Sequence, residues 1–219
     1  MPRRQRKTGV REDAEETRNT IVRTAERLFM EYGYRAVSTR QIADACGLTQ
    51  PALYHYFTDK QELYVAVLHE NITKTQAALE RIVRRNESVQ ERLRLIVRYL
   101  LGTTQHDIGL MLHDIQHELA PQVQEMLHRL FQAGLIAPIA SVFEDGLRQG
   151  LLRDPHHGGV DATTAAYLFM SMLSRFLARP QYAHDRLATL ASHYTSDGEQ
   201  AELIVNILLY GLVRSVEDT

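Results

Sequence analysis

The chain is poor in the residues that staple or kink a fold. Its single cysteine, Cys46, excludes an intrachain disulfide. Tryptophan is absent, and the 219 residues include only 6 prolines. The alternating apolar and polar pattern of β-strands is nearly missing. No apolar run reaches the roughly 18 residues that a membrane span needs. The opening MPRRQRKTGVREDAEE is charged and lacks the apolar stretch of a signal peptide. Nothing repeats internally. These absences argue for an all-α, cytoplasmic protein with no membrane contact.

What is present fits a chain with a sizeable core: 44% of residues are hydrophobic and 24% charged. The net charge of −2 hides an asymmetry. Residues 1–60 hold 11 Lys and Arg against 8 Asp and Glu, a net of +3, whereas residues 61–219 hold 14 against 19, a net of −5. Arg3, Arg4, Arg6, Lys7 and Arg11 precede the first acid, Glu12. Residues 1–14 therefore read as a basic flexible arm, suited to a polyanion or simply solvated.

Apolar residues fall at helical spacing along most of the chain. TRNTIVRTAERLFMEYGY places Ile21, Ala25, Leu28 and Phe29 on one face and stops at Gly33. Ser38 or Thr39 can cap a short helix over Arg40 to Ala45, ended by Gly47. Thr49 can cap a second short helix, with Pro51 in its first turn, where a missing N–H is harmless. Asp59 can cap a longer helix to about Arg85. Further helices are expected near 88–102, 105–118, 121–150, 161–178 and 199–215, with Pro138 kinking or splitting the fourth of these.

The densest signal is TQPALYHYFTDK, Thr49 to Lys60, with Tyr54, His55, Tyr56 and Phe57 in succession. Two short helices joined by CGL, the second opening Thr-x-Pro, make a helix-turn-helix. Its second helix, about 49–56, would enter the major groove while neighbouring groups grip phosphate. Phe57 and a tyrosine face would fill the small three-helix core, with Leu48, Ile42 and Ala43.

From Thr17 to about Leu68 the sequence resembles the tetracycline repressor (TetR) family of bacterial transcription regulators. The anchors are Phe29 to Tyr34, Ile42-Ala43 to Gly47, Leu53-Tyr54-His55-Tyr56-Phe57 and Lys60 to Leu63, in order and at the family's spacing. The rest matches only in outline, with a closing LYGLVR similar to the last helix of many members. The resemblance implies a helix-turn-helix DNA-binding domain over 15–62 and an effector-binding and dimerisation domain over 63–219. It implies a homodimer on a palindromic operator, most simply a repressor released by a small-molecule effector, with no cofactor required and no enzymatic activity. An effector preference of ~1–3 kcal/mol for one state would change DNA affinity roughly 5–150-fold.

The residues expected at double-stranded DNA are Thr39, Arg40, Thr49, Gln50, Tyr54, His55, Tyr56 and Lys60. Gln50 carries the amide that pairs with adenine. Tyr54, Tyr56 and Lys60 match DNA-contact positions of the family, and Thr39 and Arg40 open a helix where phosphate is favoured. His55 reads as a base or phosphate contact or as plain surface.

The effector is less legible. QHDIGLMLHDIQHELAPQ holds His106, His113 and His117, the last two four residues apart as two ligands of one metal require. A metal ion, a solvated histidine face and an organic effector all remain open there. His113, Gln116, His117, Phe131 and Met170 are the effector-pocket candidates. Tyr167 to Arg179, rich in methionine and apolar residues, reads as core or dimer interface, or as a promiscuous pocket. Gly211 would let the last helix approach another closely. The arginines of RIVRRNESVQERLRLIVR read as an exposed, salt-bridged surface. Cys46 reads as a small turn residue, with a redox sensor as the alternative. A helical metal-dependent hydrolase would lack the glutamate of His-Glu-x-x-His, because Asp114 follows His113.

Overall fold

The computed structural model describes residues 5–103, 114–177 and 196–211. Among these the chain is helical, with no strand: α1 (Gln5–Tyr32), α2 (Thr39–Ala45), α3 (Gln50–Tyr54), α4 (Lys60–Val83), α5 (Val89–Thr103), α6 (114–118), α7 (Pro121–Phe131), α8 (Ala137–Arg148), α9 (Ala162–Leu177) and α10 (Asp197–Tyr210). Residues 105–113, 178 and 212–215 of the expected helices lie outside the described residues. α1 starts at Gln5, so residues 5–14 continue a helix and are not the flexible arm expected of them.

The chain forms two compact units, 1–71 with 110–127, and 72–109 with 128–219. This differs from the expected division into 15–62 and 63–219. The reason is visible in the first unit. Asp114, 4% exposed, accepts the Tyr34 backbone N–H at 2.8 Å, and the Ala120 N–H donates to Gln61 Oε1 at 3.0 Å. A buried carboxylate without donors would cost several kcal/mol, so the Tyr34 N–H ties this segment to the end of α1.

The first unit closes around Ile21, Ala25, Phe29, Ile42, Leu53, Phe57, Leu63 and Tyr64, each no more than 2% exposed. Phe29 meets Tyr64 edge-on at 5.0 Å, and Tyr34 stacks tilted on Tyr64 at 4.8 Å. The tyrosine that fills this core is thus Tyr64 of α4, not Tyr54 or Tyr56. Tyr54 is exposed and Tyr56 half-buried. Burial pushes the Tyr64 phenol well above its usual range, with Asp114 adding to the rise.

The second unit packs α5, α8, α9 and α10 around Leu93, Ile96, Ile139, Val142, Phe143, Phe169, Leu173 and Ile204. Phe143 and Phe169 meet edge-on at 6.1 Å. α10 begins at a capping box in which Ser196 and Glu199 satisfy each other's backbone N–H. The arginine-rich segment is exposed as expected at Arg81, Arg84, Arg85 and Arg98, with Arg84 paired to Glu80, and departs from that reading at Arg92 and Arg94. Arg92 is buried, donating to the Val83 carbonyl at 3.1 Å and to Asp145 Oδ2 at 2.7 Å. Arg94 pairs with Glu91 and Glu202.

Pro138 does interrupt its helix. It cannot donate to the carbonyl four residues back, and the ladder widens to a π-helical turn over Gln132–Ile136. Pro121–Arg148 is nonetheless one helical stretch of 28 residues, the only one among the described residues long and apolar enough to cross a bilayer. Ile136, Ile139, Val142 and Phe143 of that stretch are buried in the core of the second unit. Gly211 ends α10 with φ +77°, a positive φ that glycine adopts readily at a helix C-terminus.

Candidate nucleic-acid interface

The helix-turn-helix is built by local rules. Ser38 caps α2: its hydroxyl accepts the Gln41 N–H at 3.2 Å, and Gln41 Oε1 accepts the Ser38 N–H at 2.8 Å. Gly47, at φ +68°, turns the chain, and Leu48 N–H reaches back to the Ala43 carbonyl at 2.9 Å. Thr49 caps α3 by accepting the Ala52 N–H at 3.3 Å. Leu53, fully buried, and Phe57 anchor the inner face of α3 and the turn after it. The Arg18 guanidinium lies 4.9 Å from the Phe57 ring centre. Cys46 is half-buried at the end of α2.

The opposite face carries the expected DNA residues. Arg40, Thr49, Tyr54 and His55 are exposed, and Gln50, Tyr56 and Lys60 are half-buried. Thr39 is 8% exposed and lies behind this face rather than on it. It is joined to two of the others: Gln50 Nε2 donates to Thr39 Oγ1 at 3.0 Å, and Thr39 Oγ1 and the Tyr54 hydroxyl share a hydrogen bond at 3.2 Å. Sequence spacing did not signal this chain, because it links helix starts and ends 11 and 15 residues apart.

Lys60 opens α4 with its Nζ 4.3 Å from the centre of the Tyr34 ring. Burial lowers its pKa, partly offset by Glu118 and Asp114. The helix start there is closed by Glu62, which accepts the Thr58 N–H at 2.6 Å and the Thr58 hydroxyl at 2.7 Å, and by Asp59, which accepts the Glu62 N–H at 2.8 Å. The Thr58 hydroxyl, then its N–H, hold the Glu62 carboxyl below the usual carboxylate value.

The effector candidates are not gathered in either unit. Gln116 and His117 are exposed on α6 in the first unit, and the Gln116 carbonyl accepts Gln124 Nε2 at 3.1 Å. Phe131 is half-buried and Met170 buried in the core of the second. Met170, with Phe169 and Leu173, therefore belongs to packed core. His113 and His106 lie outside the described residues. Among the described residues no group of three metal-ligating side chains occurs. The second unit has a cleft of about 490 Å³ that none of the candidates lines; Phe143, Leu147, Leu152, Arg153, Leu168 and Leu209 are among its walls.

Residues 21–67 match the family model of the bacterial regulatory proteins of the tetR family. The HTH-type transcriptional activator FasR of Mycolicibacterium smegmatis is 31% identical over 99 residues, 45% of each chain. The matched stretch thus spans less than half the length of that relative. The HTH-type transcriptional repressor NicS of Pseudomonas putida is 24% identical over 176 residues, 78% of this chain and 80% of the relative. The solved structure of the transcriptional regulator FadR from Bacillus subtilis, in complex with stearoyl-CoA, superposes with TM-score 0.69 and 15% identity, over 89% of this chain and 98% of that one. Nothing in these likenesses favours a metal-dependent hydrolase. Residues 21–67 thus carry the DNA-binding domain of the tetR family of bacterial regulatory proteins.

Proposed function

We propose that this protein is a ligand-responsive, DNA-binding transcriptional repressor. The observation that carries the reading is the capped α2–turn–α3 unit, anchored by Leu53 and Phe57, with Arg40, Thr49, Tyr54 and His55 left exposed on its outer face. The homodimer sets two copies of α3 about 34–36 Å apart, the separation of successive major grooves, and so selects a palindrome. The protein acts in the cytoplasm and catalyses no reaction.

The second unit holds the effector. The FadR relative binds stearoyl-CoA, which makes acyl-CoA thioesters the first class to screen. The apolar cleft with Arg153 at its wall suits an acyl chain bearing an anionic group.

Selection of bound duplexes from a random library, followed by salt titration of the winner, tests the DNA reading. A palindromic winner bound far more tightly than random DNA is the expected result. Binding that is indifferent to sequence at every salt concentration would overturn it. Addition of acyl-CoAs of graded length to the complex then tests release.

A further inference from the structure

A free glutamine at the start of a recognition helix can hold adenine with two hydrogen bonds, its amide nitrogen donating to N7 and its oxygen accepting from the N6 amine. Gln50 is not free in that sense. Its Nε2 donates to Thr39 Oγ1 at 3.0 Å, and Thr39 is braced in turn by the Tyr54 hydroxyl at 3.2 Å. Thr39, the first residue of α2, is buried, its backbone is fixed in that helix, and it cannot follow the amide outward. Its hydroxyl has one proton and two lone pairs, so it accepts from Gln50 and still shares a bond with Tyr54. Oε1 of Gln50 has no partner among the described residues and is not among the buried unpaired atoms, so it is open to solvent.

We infer that Gln50 reads DNA as an acceptor only. It selects bases that present an exocyclic amine in the major groove, adenine or cytosine, and rejects guanine and thymine, whose oxygens face it there. Thr39 and Tyr54 are positioning residues: they fix the amide's orientation and hold its donor back. The consequence is a degenerate position within an otherwise specific half-site. Swinging Nε2 out to a base would give up its hydrogen bond to Thr39 at the buried end of α2, and that opposes the two-bond adenine mode.

The inference rests on α3 being the helix that enters the groove, and the experiment separates the two. The full-length wild type and Gln50→Ala are each taken through selection from a random duplex library. The base position whose preference collapses in Gln50→Ala, with other positions unchanged, is the one Gln50 reads. At that position the wild type should take adenine and cytosine alike, each about tenfold over guanine and thymine. An adenine analogue without N7 should bind as adenine does, and one without the N6 amine about tenfold more weakly. Glu in place of Gln50 keeps the acceptor and should keep the amine preference. Thr39→Val, near-isosteric in a buried site, frees Nε2 and should shift the position toward adenine over cytosine.

A wild type that prefers guanine or thymine there, or that needs adenine N7, overturns acceptor-only reading while leaving DNA binding intact. A chain that selects a sequence in which no position responds to Gln50→Ala overturns the role of Gln50. A chain that selects no sequence overturns the DNA-binding reading itself, and the inference with it.

Discussion

Gly134 sits in the π-helical turn, where alanine would ordinarily be the better residue. Ala exceeds Gly in helix interiors by about 1 kcal/mol. Here a Cβ would lie 2.5 Å from Ile72 Cγ2, with the Ile72 carbonyl oxygen at 3.6 Å and Gln76 Cβ at 3.7 Å. Carbon atoms rest at roughly 3.5–4.0 Å, so the overlap is about 1 Å or more. The methyl in the way is on a β-branched side chain with few alternative rotamers. Overpacking of this kind costs typically ~1–3 kcal/mol. Gly134→Ala should therefore be neutral to destabilising, by about 0–2 kcal/mol, despite its helix propensity. Ile72→Ala removes the offending methyl. In that background Gly134→Ala should reverse sign and stabilise by about 1 kcal/mol, a rise of roughly 2–4 °C in melting temperature. Thermal unfolding of the four proteins, followed by far-ultraviolet circular dichroism, completes the cycle. Gly134→Ala raising the melting temperature equally in both backgrounds would refute the close approach of α4 to the π turn.

Asp145→Asn strips the charge partner from buried Arg92, and because Asp145 keeps some exposure the loss should fall near the low end of the buried-pair range, about 3 kcal/mol, read as a lower urea midpoint. Replacing Arg92 by Met in the same protein should recover much of that loss; no recovery would mean the charge is not what matters. The Glu62 carboxyl is held below its unfolded value, so its contribution to stability is complete above the unfolded pKa and is lost as pH falls through the folded one. Thr58→Val should shrink the drop in melting temperature between about pH 6 and about pH 3, and an unchanged drop would show the Thr58 hydroxyl to be irrelevant. Arg40→Ala should weaken binding to every duplex and shallow the salt slope by about 1, since phosphate contacts carry no sequence information; a change confined to one sequence would make Arg40 a base reader.

Features that depend on neighbours within a few residues were legible along the chain. Ser38 or Thr39 can cap a short helix there, and the structure chose Ser38, with Gln41 closing the box. Gly47 permits the positive φ that a turn there needs. Thr49 and Pro51 start a helix. Leu53 and Phe57 offer apolar side chains to the small core from the second helix and the turn after it. The helix-turn-helix and the all-helical character follow from these, as does the interruption before Pro138.

Tertiary structure decided what depends on residues far apart in the chain. It joined the 114–120 segment to the first unit through Asp114 and Tyr34, a hydrogen bond across 80 positions. It buried Arg92 by supplying Asp145 from 53 positions away, where local composition argued for a solvated arginine surface. It placed Tyr64 in the core ahead of the nearer tyrosines, because the first turns of α4 face Phe29. It also tied the Gln50 amide to Thr39. Amide and hydroxyl groups pair with whatever donor or acceptor comes within about 3 Å, and that proximity is set by packing, which no local pattern of residues encodes.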